Sequence, residues 1–302
     1  MKILIVIPHV FAPKKNSLYS SENESKKEIK ERGLREATIG NLNRHEKYHW
    51  IHASLGKGKP VITRRIYNDK GISLKIQIYT HPTKNLSNKL PKDERIEIFY
   101  PNVKNLEEIP VFASRALLEQ AENYDMVGYI EDDIAIEDRE FFDKVKYLVE
   151  NKGNEYVFLP HRCEEIPNNG EVILSGDPDG GRDDLFWDTK ELLICKWNEQ
   201  KYKFYRATNP HSGCYFITRE QAIIARQYWV EKNWMPDLIL CGPLEQAASG
   251  MLIKSFKIMK PIPEDYRILM VKHIDELWKR HPFENKQNFS ENDKTNTTTT
   301  FS

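Results

Sequence analysis

Apolar and polar positions fall into short blocks that switch period along the chain. Ile3-Leu4-Ile5-Val6-Ile7 is an unbroken apolar run that Pro8 and His9 end abruptly. It predicts a strand buried on both faces, parallel and central. Residues 12–25 are polar and predict a loop, and Lys26–Leu42 has helical composition with Ile29, Leu34, Ile39 and Leu42 as its apolar positions. Ile72, Leu74, Ile76 and Ile78 alternate with polar residues and predict a half-buried strand. Arg95–Tyr100 predicts a short strand, Val111–Glu122 a helix, Met126–Ile130 a buried strand, Glu140–Glu150 a helix and Tyr156–Leu159 a strand. Further on, the pattern predicts strands at Cys214–Ile217, Leu252–Met259 and Ile268–Val271, and helices at Arg219–Glu231 and Leu244–Met251.

The first half thus alternates strand and helix, which implies an α/β domain with a mostly parallel sheet flanked by helices. Ligands in such sheets bind beyond the carboxyl ends of the strands. From about Asn285 the chain turns polar, with four consecutive threonines near its end. Residues 1–284 are therefore expected to form a single domain, and 285–302 a polar tail too poor in apolar residues to order itself.

Composition narrows the function classes. Lys plus Arg and Asp plus Glu each number 45 in 302 residues, so no global field points to nucleic acid. No stretch approaches the ~20 apolar residues of a membrane span. The opening apolar run is too short for a signal peptide and lacks a small-residue cleavage site. Four widely spaced cysteines without a CxxC pair suit reduced thiols. These features lead to the expectation of a cytoplasmic protein.

The chemistry concentrates in Tyr129-Ile130-Glu131-Asp132-Asp133-Ile134, where three carboxylates follow an apolar run and another apolar stretch follows at once. Read alone, an acidic triplet is a solvated loop. Here the flanks set it at the edge of the core, where unpaired carboxylates are costly. A hard divalent cation that shares its coordination with phosphate oxygens is an economical partner.

At this point the chain resembles glycosyltransferases of the GT-A fold, DxD-type and family 2-like. In them acids at the end of a central strand bind Mn²⁺ or Mg²⁺ and, through it, the diphosphate of a sugar nucleotide. The resemblance implies that Asp133 is the direct metal ligand, with Glu131 and Asp132 serving the metal or the nucleotide. It implies a late metal-ligand histidine at His273, with Lys272 beside it meeting a phosphate, and a nucleotide-contacting Arg115 on the helix before the acids. Pro8-His9-Val10 would meet the base at the end of the first strand. His211-Ser212-Gly213 would face the donor sugar or the acceptor, with glycine allowing close approach to the backbone. Glu245, in the first turn of a helix opened by Pro243, would be the general base of an inverting transfer. Its plainer role is to complement the helix dipole.

The expected partners are a nucleotide-diphosphate sugar donor and a carbohydrate, lipid-linked or protein acceptor, with no nucleic acid. Two other classes stay open. A nucleotidyltransferase of similar layout would carry a glycine-rich, basic loop after the first strand, where this chain has Pro8-His9-Val10-Phe11-Ala12-Pro13. A non-catalytic carbohydrate-binding protein would not need the acids, Arg115, Glu245 and His273 together.

Overall fold

A computed structural model describes residues 1–14, 20–46, 48–67, 71–165, 172–174, 191–207, 211–231 and 242–275. The polar tail over 285–302, the turn at 168–170, the acidic loop over 177–184 and residues 208–210 lie outside the described residues. The opening apolar run forms β1 (Lys2–His9). It is followed by α1 (Lys27–Arg35), a π-helical turn (Glu36–Gly40) and α2 (Asn41–His45). A hairpin of β2 (Tyr48–Gly56) and β3 (Lys59–Tyr67) comes next. Then come β4 (Ser73–Thr80), β5 (Ile96–Phe99), α3 (Ile109–Glu119) and β6 (Met126–Ile130).

The second half begins with β7 (Ile134–Ala135), α4 (Phe141–Lys152), β8 (Tyr156–Phe158), β9 (His161–Glu165) and β10 (Val172–Leu174). It continues through β11 (Leu192–Trp197), β12 (Gln200–Arg206), β13 (Cys214–Thr218) and α5 (Arg219–Glu231). The last described elements are α6 (Pro243–Glu245), a second π turn (Gln246–Gly250), α7 (Met251–Ile253), β14 (Lys257–Pro261) and β15 (Met270–His273).

The main sheet has the order β13-β6-β1-β4-β5, parallel except for β13. β1 is central, as its unbroken apolar run requires. Its side chains alternate between two cores. Ile3, Ile5 and Ile7 pack with Leu34, Ala37, Phe141 and Phe142, whereas Leu4 and Val6 pack with Leu117, Ala222, Ala225 and Met251. Helices therefore cover both faces, and each fully buried Ile or Leu stabilises the fold by about 1.5–3 kcal/mol.

The strand order reverses at β1: β4 lies on one side of it and β6 on the other. That reversal opens a crevice at the carboxyl ends of β1 and β6, the place where open α/β sheets bind ligands. A second sheet, β10-β9-β15-β7, starts just past the end of β6 and closes over the same region.

β7 and β9 to β12 have no counterpart in the predicted pattern, and two further parts differ from expectation. The β2–β3 hairpin is not signalled by a clean alternation; its clue is the Lys57-Gly58 turn, where both residues have positive φ. The strand expected from Leu252 begins only at Lys257. Met251-Leu252-Ile253 instead ends the preceding helix, and the Phe256 N–H closes that end on the Leu252 carbonyl at 2.9 Å. A short apolar run does not by itself distinguish a buried helix end from a strand.

His45 ties α2 to the chain beyond the acids. Its Nε2 lies 2.9 Å from the Ile136 carbonyl and its ring packs edge-on against Phe142 at 4.8 Å. Burial pushes its pKa down to about 4, against the opposing pull of that hydrogen bond. The unfolded chain takes up this proton near the ordinary histidine pKa and the folded chain does not. The contribution is thus complete above about pH 6.5 and is lost as pH falls from there toward 4. Urea denaturation across this range should show His45→Gln losing less stability than the wild type, by on the order of 2–3 kcal/mol. Parallel losses in the two proteins would exclude His45 as the source.

Candidate functional site

The three acids follow β6 in a tight turn. The Glu131 N–H donates to the Gly213 carbonyl at 2.8 Å, and the Ile134 N–H donates back to the Glu131 carbonyl at 3.2 Å. All three side chains are buried. Successive residues of a turn point in different directions, so each carboxylate meets different partners.

Asp132 points to β1 and α1. His9 Nδ1 lies 2.5 Å from its Oδ2, and Lys30 Nζ donates to its Oδ1. The Leu86 N–H donates to His9 Nε2 at 2.9 Å, which leaves the imidazole proton on Nδ1, facing Asp132. Both His9 nitrogens are thus engaged within the protein. Lys30 and Gly33 lie on the same face of α1. At Gly33 a Cβ would stand 3.0 Å from the Asp133 Cβ and 3.2 Å from the Asp132 carbonyl, so glycine sets how closely α1 approaches the turn. Burial alone would lower the Lys30 pKa, but Asp132, Asp133 and Asp275 outweigh it and hold the ammonium charged.

Glu131 points the other way. Arg162 Nη1 and His211 Nε2 each lie 3.4 Å from its carboxylate. Burial pushes its pKa up to about 8, with Arg162 opposing and Asp133 and Glu245 adding to the rise. Gly213 adopts φ +64° beside it, and a Cβ there would stand 3.1 Å from Glu131 Oε2. The neighbouring segment is anchored from below: Ser212 Oγ donates to the Pro160 carbonyl at 2.7 Å, and the fully buried Lys260 donates to the His211 carbonyl at 2.5 Å.

Asp133 faces the end of β15, through strand register. β7 pairs antiparallel with β15, setting Ile134 opposite His273, and the Ile274 N–H donates to the Asp133 carbonyl at 2.8 Å. His273 Nε2 then lies 3.6 Å from Asp133 Oδ2. Asp133, His273 and Asp275 present ligand atoms within 4.8 Å of one another, and all three are buried. Burial would raise the Asp133 pKa, yet His273, Lys30 and Arg162 hold it well below the carboxylate range. Burial would lower that of His273, yet Asp133 and Glu164 push it up to about 9.

The donor set fits a divalent cation. Asp133 Oδ1 is buried with no hydrogen-bond partner among the described residues, and two carboxylates with one imidazole suit Mn²⁺ and tolerate Mg²⁺.

The structure thus brings Pro8-His9, Glu131, Asp132, Asp133, His211-Ser212-Gly213 and His273 to one region. Glu245, half-buried in α6, is close enough for its charge to act on Glu131 and Tyr129. Arg115 and Lys272 are not brought there. Arg115 stands on the outer face of α3, its side chain 65% exposed and paired with Glu119. Lys272 alternates with His273 along β15, so it turns to the opposite face and pairs with Glu137 and Glu165. Glu131 lies outside the Asp133–His273–Asp275 group because its carboxylate turns to Arg162 and His211.

Sequence reasoning missed Lys30, Gly33, Arg162, Glu164 and Asp275. Of these only Asp275 carried a usable signal: it follows His273 by two residues, the spacing that keeps side chains on one face of an extended segment.

No family model matches the chain, and no curated protein matches it. Solved structures with some likeness include S. aureus TarS 1–349, at 10% identity and TM-score 0.42 over 90% of this chain. The same TarS fragment in complex with UDP gives 10% identity and TM-score 0.40 over 86%. Francisella tularensis 2-C-methyl-D-erythritol 4-phosphate cytidylyltransferase gives 8% and 0.38 over 88% of this chain and 93% of that one. This chain spans 60% of the TarS fragment in the first case and 57% in the second. At these values the likeness decides neither donor nor reaction. The layout itself is GT-A-like: a mixed, mostly parallel sheet between helices, with the acids at a strand end beside the switch point.

The Lys30–Asp132 pair is buried on both sides, so removing one partner strands the other charge. Lys30→Met should lower stability by about 3–5 kcal/mol in urea denaturation. Adding Asp132→Asn should return part of that loss. Simple additivity of the two losses would show that the groups are not coupled.

Proposed function

We propose that the protein is a metal-dependent glycosyltransferase that moves a sugar from a nucleotide-diphosphate donor to an acceptor hydroxyl with inversion. The observation that carries this reading is the Asp133–His273–Asp275 group. It joins two strand ends beside the switch-point crevice and includes a buried carboxylate oxygen with no hydrogen-bond partner among the described residues. Asp133, His273 and Asp275 hold Mn²⁺ or Mg²⁺. A cation held there would supply positive charge beside the departing nucleoside diphosphate.

The remaining residues have separate tasks. Asp132 is held by His9 and Lys30 and fixes the shape of the acid turn. Val10, directly after β1 and partly exposed, is the first-strand residue left to meet the base. Gly213 turns the backbone at φ +64° close against Glu131, and the His211–Gly213 segment lines the donor-sugar side of the crevice. Glu245 takes the proton of the acceptor hydroxyl, whose oxygen then attacks the anomeric carbon from the face opposite the leaving diphosphate. Nothing in this arrangement supports a phosphate role for Arg115 or Lys272. The acceptor is a carbohydrate, lipid-linked or protein hydroxyl. Among the described residues no helix is long and apolar enough to cross a membrane.

A thermal-shift screen of sugar nucleotides with and without Mn²⁺ tests this reading. One donor should raise the melting temperature only with metal, since a ligand at a hundred times its Kd stabilises by about 2.7 kcal/mol. Asp133→Ala should abolish the metal-dependent part. No response to any sugar nucleotide in the presence of metal would contradict the reading. With the donor identified, Glu245→Gln should cut turnover by about 10²–10⁴-fold while leaving donor binding in place. An unchanged rate would return Glu245 to a helix-start carboxylate.

A further inference from the structure

His273 has two ring nitrogens, and only one faces Asp133. The other, Nδ1, lies 2.6 Å from Glu164 Oε1. Strand register creates this contact. β9 and β15 run parallel with Val271 opposite Arg162 and Lys272 opposite Cys163, which sets Glu164 beside His273. Side chains alternate along both strands, so Arg162, Glu164, Val271 and His273 share the face turned toward the acids. Glu165 and Lys272 share the other face, where they form an ion pair. Glu164 is 1% exposed, so a buried carboxylate is committed to the back of the imidazole.

We propose that Glu164 is a positioning residue for the metal centre: it accepts a hydrogen bond from the Nδ1–H of His273, keeps the ring's proton on that nitrogen and aims the unprotonated Nε2 at the cation held with Asp133 and Asp275. This rests on the metal-site reading above. An imidazole ligates only through a nitrogen that carries no proton. A carboxylate on the far nitrogen selects that tautomer, locks the ring plane and makes the ligating nitrogen a stronger donor. Loss of such a partner typically weakens metal binding by about 10–100-fold. Glu164 touches neither donor nor acceptor in this scheme, so its effect belongs to metal affinity and appears without any substrate.

The test is Mn²⁺ binding to the substrate-free protein, followed by the electron paramagnetic resonance signal of free Mn²⁺. Glu164→Gln should bind Mn²⁺ about 10–100-fold more weakly than the wild type. In a His273→Asn background, Glu164→Gln should add little further loss, because the residue it positions is gone. Glu164→Asp keeps the buried charge but draws it back from Nδ1, and should fall between the two. It carries the test if Glu164→Gln does not fold. Wild-type affinity in Glu164→Gln, or in Glu164→Asp where that is the folded variant, overturns the proposal. So does a loss that is simply additive with His273→Asn, which marks general damage. A wild-type protein that binds neither Mn²⁺ nor Mg²⁺ overturns the metal site itself, and with it this role of Glu164.

Discussion

Three consecutive acidic side chains can be buried at the end of a strand only if each is paired with a counter-charge or kept protonated. Glu131, Asp132 and Asp133 are each less than a tenth exposed, and their partners come from three directions. β1 and α1 supply His9 and Lys30 to Asp132. β9 and the segment before β13 supply Arg162 and His211 to Glu131. β15 supplies His273 to Asp133. The elements around this turn are thus linked by charge compensation as well as by apolar packing. An uncompensated carboxylate there would cost several kcal/mol.

The distribution is uneven, and the unevenness has functional consequences. Asp132 is held from both sides by protein groups, so its charge is used up in structure. Asp133 keeps one oxygen without a hydrogen-bond partner among the described residues and shares a compact group with a histidine and a second aspartate. Glu131 stands apart, its proton affinity raised by burial and by the neighbouring acids. Neighbours in sequence thus occupy three electrostatic environments, and only one of them has the makings of a cation site.

The main sheet was largely legible in the sequence because its signals are local. The unbroken run of β1, the five apolar-rich residues of β6 and the pattern of α5 each fix an element without reference to the rest of the chain. The acids were legible for the same reason, since their apolar flanks mark a strand end. Their partners were not. Lys30 lies in a helix crowded with lysine and glutamate, and nothing local separates the one buried ammonium from its exposed neighbours. Glu164 and Arg162 matter only because β9 lies parallel to β15, a pairing across more than a hundred residues. Arg115 shows the converse: its place on the helix before the acids was suggestive, but the helix turns it to solvent.

On the proposed reading the triplet divides its work, with Asp133 joining His273 and Asp275 around a cation while Asp132 stays with Lys30 and His9. Anomalous diffraction at the manganese edge from crystals grown with Mn²⁺ and a nucleoside diphosphate tests this most directly. One peak bounded by Asp133, His273 and Asp275 is expected, with the Lys30–Asp132 contact intact. A peak on Asp132 with Lys30 displaced, or no peak in this group, would contradict it.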